Sequence, residues 1–246
     1  MISHSKKFVF VHIPKTAGTS ITDVLNSYCE VKSNDDVNSP FYYHASAIQI
    51  KNFFNKMNWD LNDYFKFTFV RNPWDRLVSY YEFTKKRYKK LQQAGLLSTD
   101  MLCKKFGEEV NSFTQFIEYL DKYAPNSDSY YHSINNNPQL DFVGKLDTLQ
   151  SDFNHICKMI NIPITKLPHL QSTKRLHYSE YYDEHTKKIV EDKFSDDISM
   201  FGHIFSKESF SDKKYKSGFL KYNFKKIKNE QKQMRFNAYN GRKSNS

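Results

Sequence analysis

Two segments with the same internal plan constrain this chain more than anything else in it. Phe8-Val9-Phe10-Val11-His12-Ile13-Pro14-Lys15-Thr16-Ala17-Gly18-Thr19-Ser20 is a short apolar run that breaks into a cationic, hydroxyl-rich turn and opens into a helical pattern. Phe67-Thr68-Phe69-Val70-Arg71-Asn72-Pro73-Trp74-Asp75-Arg76-Leu77-Val78-Ser79 repeats the plan. Strand, turn and helix in that order, twice, predict an α/β fold with a mainly parallel central sheet flanked by helices. In such sheets ligands bind at the carboxyl ends of the strands, which is where both turns fall. One turn carries Lys15 and the other Arg71, so the pattern calls for a ligand with anionic groups at two ends, such as a nucleotide phosphorylated at both.

The remaining pattern fills in around these segments. Helices are predicted over Thr19 to Tyr28, His44 to Met57, Pro73 to about Lys90, Ser112 to Lys122, Asp147 to Ile160 (with Asp147 as its N-cap) and Glu184 to Phe194. Strands are predicted at Phe65 to Val70 and Leu140 to Val143. Asn34 to Pro40 reads as a polar loop, Pro163 and Pro168 mark another, and Leu91 to Asn137 is the least legible stretch.

Composition excludes several classes. Residues 211–246 hold 11 Lys/Arg against two acidic residues, while residues 1–210 hold 26 against 25, so the charge of +10 belongs to the tail. A nucleic-acid-binding body is not implied. The division is thus residues 1–210 as the main domain and 211–246 as a basic tail. In the tail Leu220, Phe224, Ile227 and Met234 recur near helical spacing among lysines, which suits either docking on the protein's own core or a peripheral contact with an anionic membrane. No apolar run approaches the roughly 20 residues of a membrane span. The first strand begins almost at Met1, so a cytoplasmic location is expected, with possible contact at the inner membrane surface. Cys29, Cys103 and Cys157 show no paired spacing and are expected as buried thiols. No His/Cys/Asp cluster has metal-ligand spacing, and no metal is expected.

The turns themselves carry the chemistry. Lys15, Thr16, Ala17, Gly18, Thr19 and Ser20 supply a cation, a flexible glycine and hydroxyls at a helix N-terminus, where unpaired N–H groups and the helix dipole favour an anion. The G-x-x-x-x-G-K-[ST] spacing of a Walker A loop is absent. Arg71 offers a planar fork to phosphate oxygens and Ser79, two turns on, a further hydroxyl; alternatively Arg71 simply pairs with Asp75.

These residues, in order, resemble the carbohydrate sulfotransferases of the type 2 sulfotransferase family. Tyr64-Phe65-Lys66-Phe67, Asp141-Phe142-Val143-Gly144-Lys145, Leu167-Pro168-His169 and the stretch from Ser172 to Gly202 extend the resemblance. It implies a P-loop-like fold and transfer of a sulfuryl group from 3′-phosphoadenosine 5′-phosphosulfate (PAPS) to a sugar hydroxyl. Lys15, Thr16, Gly18, Thr19 and Ser20 would hold the 5′-phosphosulfate, Arg71 and Ser79 the 3′-phosphate, and Lys174 or Arg175 would close over the nucleotide. His44 matches the position of the family's base, with a packing or capping role as the alternative. The acceptor expected is a carbohydrate, either free or lipid-linked. Rival readings are a non-catalytic protein that binds PAPS or its desulfated product PAP, and a small-substrate kinase. His12, His169 and His177 read as structural, and His132 as a loop histidine or part of an acceptor site.

Overall fold

A computed structural model describes residues 1–32, 44–134, 137–170 and 175–207. The chain divides into two compact units, Met1–Lys214 and Tyr215–Ser246. The second lies outside the described residues, as does the basic tail read from the sequence. In chain order the first unit contains β1 (Ile2–Ser3), β2 (Phe8–Val11), α1 (Gly18–Leu25), α2 (Ala47–Lys56), β3 (Phe65–Val70) and α3 (Pro73–Gln93). There follow α4 (Met101–Glu109), α5 (Phe113–Glu118), α6 (Leu120–Tyr123), α7 (Asp128–His132), β4 (Ser133–Ile134), β5 (Asn137–Pro138), β6 (Phe142–Lys145), α8 (Leu149–Met159), α9 (Glu184–Lys193) and α10 (Ser195–Phe201).

The main sheet has the order β1-β2-β3-β6. β2 pairs with β3 and β3 with β6 in parallel, and β1 is antiparallel to β2. The expected α/β architecture with a mostly parallel sheet is therefore present. Phe10 stands opposite Phe67, which stands opposite Phe142. Alternation sends Phe8, Phe10, Phe67 and Phe69 to one face, where they pack with Ile21 and Leu25 of α1 and Phe153, Ile156 and Cys157 of α8.

A second core lies among the helices. Trp74, Leu77, Val78 and Tyr81 of α3 pack with Phe106 of α4, Phe113, Phe116 and Ile117 of α5, and Val190 of α9. Much of the stretch that was least legible in sequence thus builds this core. The helix over α4 escaped sequence reading because Gly107 interrupts its pattern; a side chain there would collide with the Tyr88 ring at 2.2 Å. The three cysteines are free and buried, as expected.

Several boundaries differ from the sequence reading: the helix expected from His44 starts at Ala47, and the one expected to run to Tyr28 ends at Leu25 in a 3-10 turn. β6 runs two residues later than expected and through Gly144, because the Phe69 ring on the neighbouring strand lies 2.4 Å from where a Cβ would stand. Glycine here is a packing requirement rather than a strand end. Asp147 does not cap α8: residues Leu146–Thr148 form a 3-10 turn, and the N-cap position falls to Thr148, which makes no side-chain capping bond. The cap of α3 follows expectation, with Pro73 in the first turn and the Asn72 side chain accepting from the Trp74 N–H at 3.1 Å.

Candidate active site

The turn from β2 to α1 is strained at positions the sequence did not flag. Lys15 and Ala17 both adopt left-handed backbone, with φ of 67° and 65°, while Gly18 does not. Each such non-glycine residue costs about 1 kcal/mol, and strain of this kind gathers where backbone N–H groups must converge. The glycine serves a different purpose from flexibility. A Cβ on Gly18 would fall 1.7 Å from the His12 ring, so glycine lets α1 start directly against that side chain.

The turn is braced from within and below. Thr16 is fully buried, and its hydroxyl donates to the Ile13 carbonyl at 2.9 Å. Beneath it lies Arg76, 1% exposed, whose Nε donates to the Pro14 carbonyl at 3.1 Å. The same guanidinium donates to Asp128 at 2.5 Å and to the Asn126 carbonyl at 2.7 Å, tying the turn to the start of α7. The buried Asp197 carboxylate, in turn, accepts the Asp128 N–H at 2.7 Å. Burial, with the Asp197 charge adding to it against the pull of Arg76, pushes the Asp128 carboxyl up to about 7. Sequence reasoning passed over Arg76, although an arginine set among Trp74, Leu77 and Val78 of one helix was a signal that a charge would be buried.

Three cations meet above this support. Arg71 donates through Nε to Asp75 at 2.7 Å and through a terminal nitrogen to the Lys15 carbonyl at 3.0 Å. Arg175 binds the other oxygen of Asp75. One carboxylate therefore holds both guanidinium groups, and the Arg71–Asp75 pair, the alternative to phosphate binding in the sequence reading, is present as part of the cluster. Burial opposes ionisation of Asp75, but Arg71 and Arg175 prevail and hold its carboxyl below the usual range. Among the described residues no carboxylate pairs with Lys15; its ammonium lies 3.9 Å from the centre of the Phe83 ring. Burial, together with the positive fields of Arg71 and Arg175, lowers Lys15 to about 8.

Asp75, Ser79 and Phe83 follow one another at i, i+4 and i+8 on α3 and so form one stripe of the helix. With the arginines at one end of the stripe and Lys15 over Phe83 at the other, Ser79 lies between them, half-buried. Thr19 is exposed, and the buried Ser20 hydroxyl accepts the Leu170 N–H at 3.4 Å. Lys174 lies outside the described residues.

His44 lies on the other side of the turn. Its Nδ1 is 3.0 Å from the His12 carbonyl, and the two rings meet edge to face with centroids 4.6 Å apart. A carbonyl only accepts, so Nδ1 carries the proton and Nε2 is the acceptor nitrogen of the neutral ring. Burial lowers the His44 pKa; the bond to the His12 carbonyl opposes this, while the charges of Arg76 and Lys15 add to it. His12 is neutral for the same reason, burial first and then the neighbouring His44. His132 is buried beside Phe201 and bonded to the Ser133 hydroxyl at 2.9 Å, and His177 caps the short helix Tyr178–Tyr181. No cluster of three or more potential metal ligands occurs among the described residues.

The model of the sulfotransferase family matches residues 1–205, and the chain belongs to that family. It is 24% identical over 193 residues to carbohydrate sulfotransferase 14 of Mus musculus, covering 71% of this chain and 49% of the mouse protein. To carbohydrate sulfotransferase 14 of Danio rerio it is 26% identical over 230 residues, covering 82% of this chain and 61% of the fish protein. The chain therefore spans about half to three fifths of the length of these relatives. No solved structure matches significantly.

Proposed function

We propose that this protein transfers a sulfuryl group from PAPS to a hydroxyl of a carbohydrate. The observation that carries the reading is the cationic cluster. Lys15, Arg71 and Arg175 converge, and among the described residues Asp75 is the only carboxylate bonded to any of them, so these residues hold an excess of positive charge and an ammonium destabilised by its neighbours. An anion relieves that repulsion. Two cationic ends joined by the Asp75–Ser79–Phe83 stripe fit a nucleotide phosphorylated at both ends better than a single phosphate.

Bound there, PAPS would supply the activated sulfuryl group. The chain's own part is then electrostatic and acid–base. The acceptor oxygen attacks sulfur as the bond from sulfur to the bridging phosphate oxygen breaks, the electron pair staying on that oxygen. Lys15 stabilises the charge that builds there, the setting in which a preorganised cation contributes most. His44 takes the acceptor proton on Nε2, a role that its lowered pKa suits because the ring is neutral at physiological pH. The left-handed residues and Arg76 keep the turn in place while charge moves.

The acceptor class rests on the likeness to carbohydrate sulfotransferases together with this site. Calorimetric titration with PAP in the absence of magnesium tests the reading, with magnesium-ATP in parallel. Metal-independent binding of PAP that disappears in Arg71→Ala is the expected result. Preference for magnesium-ATP would overturn it in favour of a kinase. PAP binding without transfer to any carbohydrate acceptor would leave a nucleotide-binding protein.

A further inference from the structure

The far end of α3 does not belong to the site. Residues 85–105 carry Lys85, Lys86, Arg87, Lys89, Lys90, Lys104 and Lys105, against Asp100 as the one acidic residue. That carboxylate is turned inward, accepting from Arg87 at 2.7 Å and capping the Cys103 N–H at 2.9 Å. Lys86, Lys89, Lys90 and Lys105 are exposed, and among the described residues none of them pairs with a carboxylate. At the tip, where Gly95 turns the chain with φ of +68°, three large apolar side chains face water: Leu96 is 49% exposed, Met101 54% and Leu102 55%.

The hairpin is rigid enough to present these groups. Cys103 and Phe106 of α4 are buried against α3, with the Cys103 thiol 3.7 Å from the Thr84 carbonyl. α3 is 21 residues long, so its far end stands about 30 Å from the Arg71 end of the site. Core packing does not require the exposed tip, and its composition opposes solubility.

We infer that the α3–α4 hairpin tip is a docking surface for a lipid bilayer that carries anionic headgroups. Lysines alone would suit any polyanion. The three apolar side chains decide between them, because a soluble acidic glycan offers them nothing, whereas the boundary between headgroups and acyl chains takes both kinds of group at once. Each lysine near an anionic surface strengthens binding about fivefold. Docked this way, α3 stands between the membrane and the cationic cluster as a spacer.

The test is co-sedimentation of the full chain with phosphatidylcholine vesicles, with and without phosphatidylserine, for the parent and two triple variants. One is Lys86→Gln/Lys89→Gln/Lys90→Gln and the other Leu96→Ser/Met101→Ser/Leu102→Ser. All six side chains are outside the buried core, so the thermal midpoint should match the parent and certify the fold. The parent should bind phosphatidylserine vesicles; the lysine variant should lose on the order of a hundredfold in affinity and the apolar variant at least about tenfold. Absence of vesicle binding overturns the inference. So does parent-like binding by both variants, which would assign the membrane contact to the basic tail. Loss in the lysine variant alone, with equal binding of soluble heparin, would make the surface one for acidic glycans and overturn it too.

Discussion

If Lys15 ionises near 8 in the empty site, anion binding must depend on pH between about 7 and 9. The perturbation is a change from about pH 7 to about pH 9, in which a group of pKa about 8 goes from roughly 90% to roughly 10% charged. A nucleotide that binds the charged form returns Lys15 towards its usual value of 10.5, so PAP should bind about tenfold more weakly at the upper pH. An ordinary lysine would give almost no change over that range. On the acid side the second phosphate ionisation has its midpoint near pH 6, His44 lies below its usual 6.5, and the Asp128 carboxyl, at about 7, overlaps the lower edge of the window. The free thiols are pushed up, not down. Calorimetry at several pH values, corrected for buffer ionisation, reads both the affinity and the proton taken up. Lys15→Arg, charged throughout, should flatten the profile. A flat profile in the parent would refute the argument that neighbouring arginines and burial set this ammonium.

The same shift bears on stability, and its sign is opposite to that of a favourable ion pair. A base whose folded pKa is lowered destabilises the fold while charged, with the full cost present below about pH 8 and relieved as pH rises towards 10.5. Lys15→Met should therefore stabilise the protein at neutral pH by up to about 3 kcal/mol in denaturant unfolding while abolishing transfer; an unchanged or lower stability would count against the placement. His44→Ala should keep PAP affinity but lose about 10²–10⁴ in kcat, and the parent rate should fall as pH drops through the lowered His44 value; full turnover in the variant would move the base elsewhere. Arg76→Met leaves Asp128 buried without its partner and should cost about 3 kcal/mol, read as a fall in Tm of roughly 10 °C, with partial recovery in Arg76→Met/Asp128→Leu. No change in Tm would show that the pair does not brace the fold. Gly18→Ala should displace His12 and disturb the carbonyl that orients His44, lowering kcat more than nucleotide affinity; parent-like kinetics would contradict that coupling.

The two turns were legible because each is local: an apolar strand, a cation and a helix start within about a dozen consecutive residues. What those turns do internally was not. Gly18 looked like a source of flexibility, but the left-handed conformations fall on Lys15 and Ala17, and the glycine answers to a ring six residues back. Arg76 carried a local signal in its apolar neighbours on α3, but its partner could not be read there, since Asp128 is 52 residues away. α4 was missed since its apolar positions serve a helix-on-helix core assembled from several segments far apart in the chain. Position 144 shows the same blindness, where a glycine that signals a strand end in sequence continues the strand under a phenylalanine ring.

Asp75 has a consequence for turnover. It keeps Arg71 and Arg175 aligned when nothing else is bound, so a phosphate arriving there meets donors that are already in place but must compete with a carboxylate for them. On the proposed reading, with PAPS as donor, competition of that kind would weaken retention of the spent nucleotide as much as of the donor, since both carry the same 3′-phosphate. A site built this way gives up tight grip in exchange for rapid exchange, and leaves product departure less able to limit the cycle.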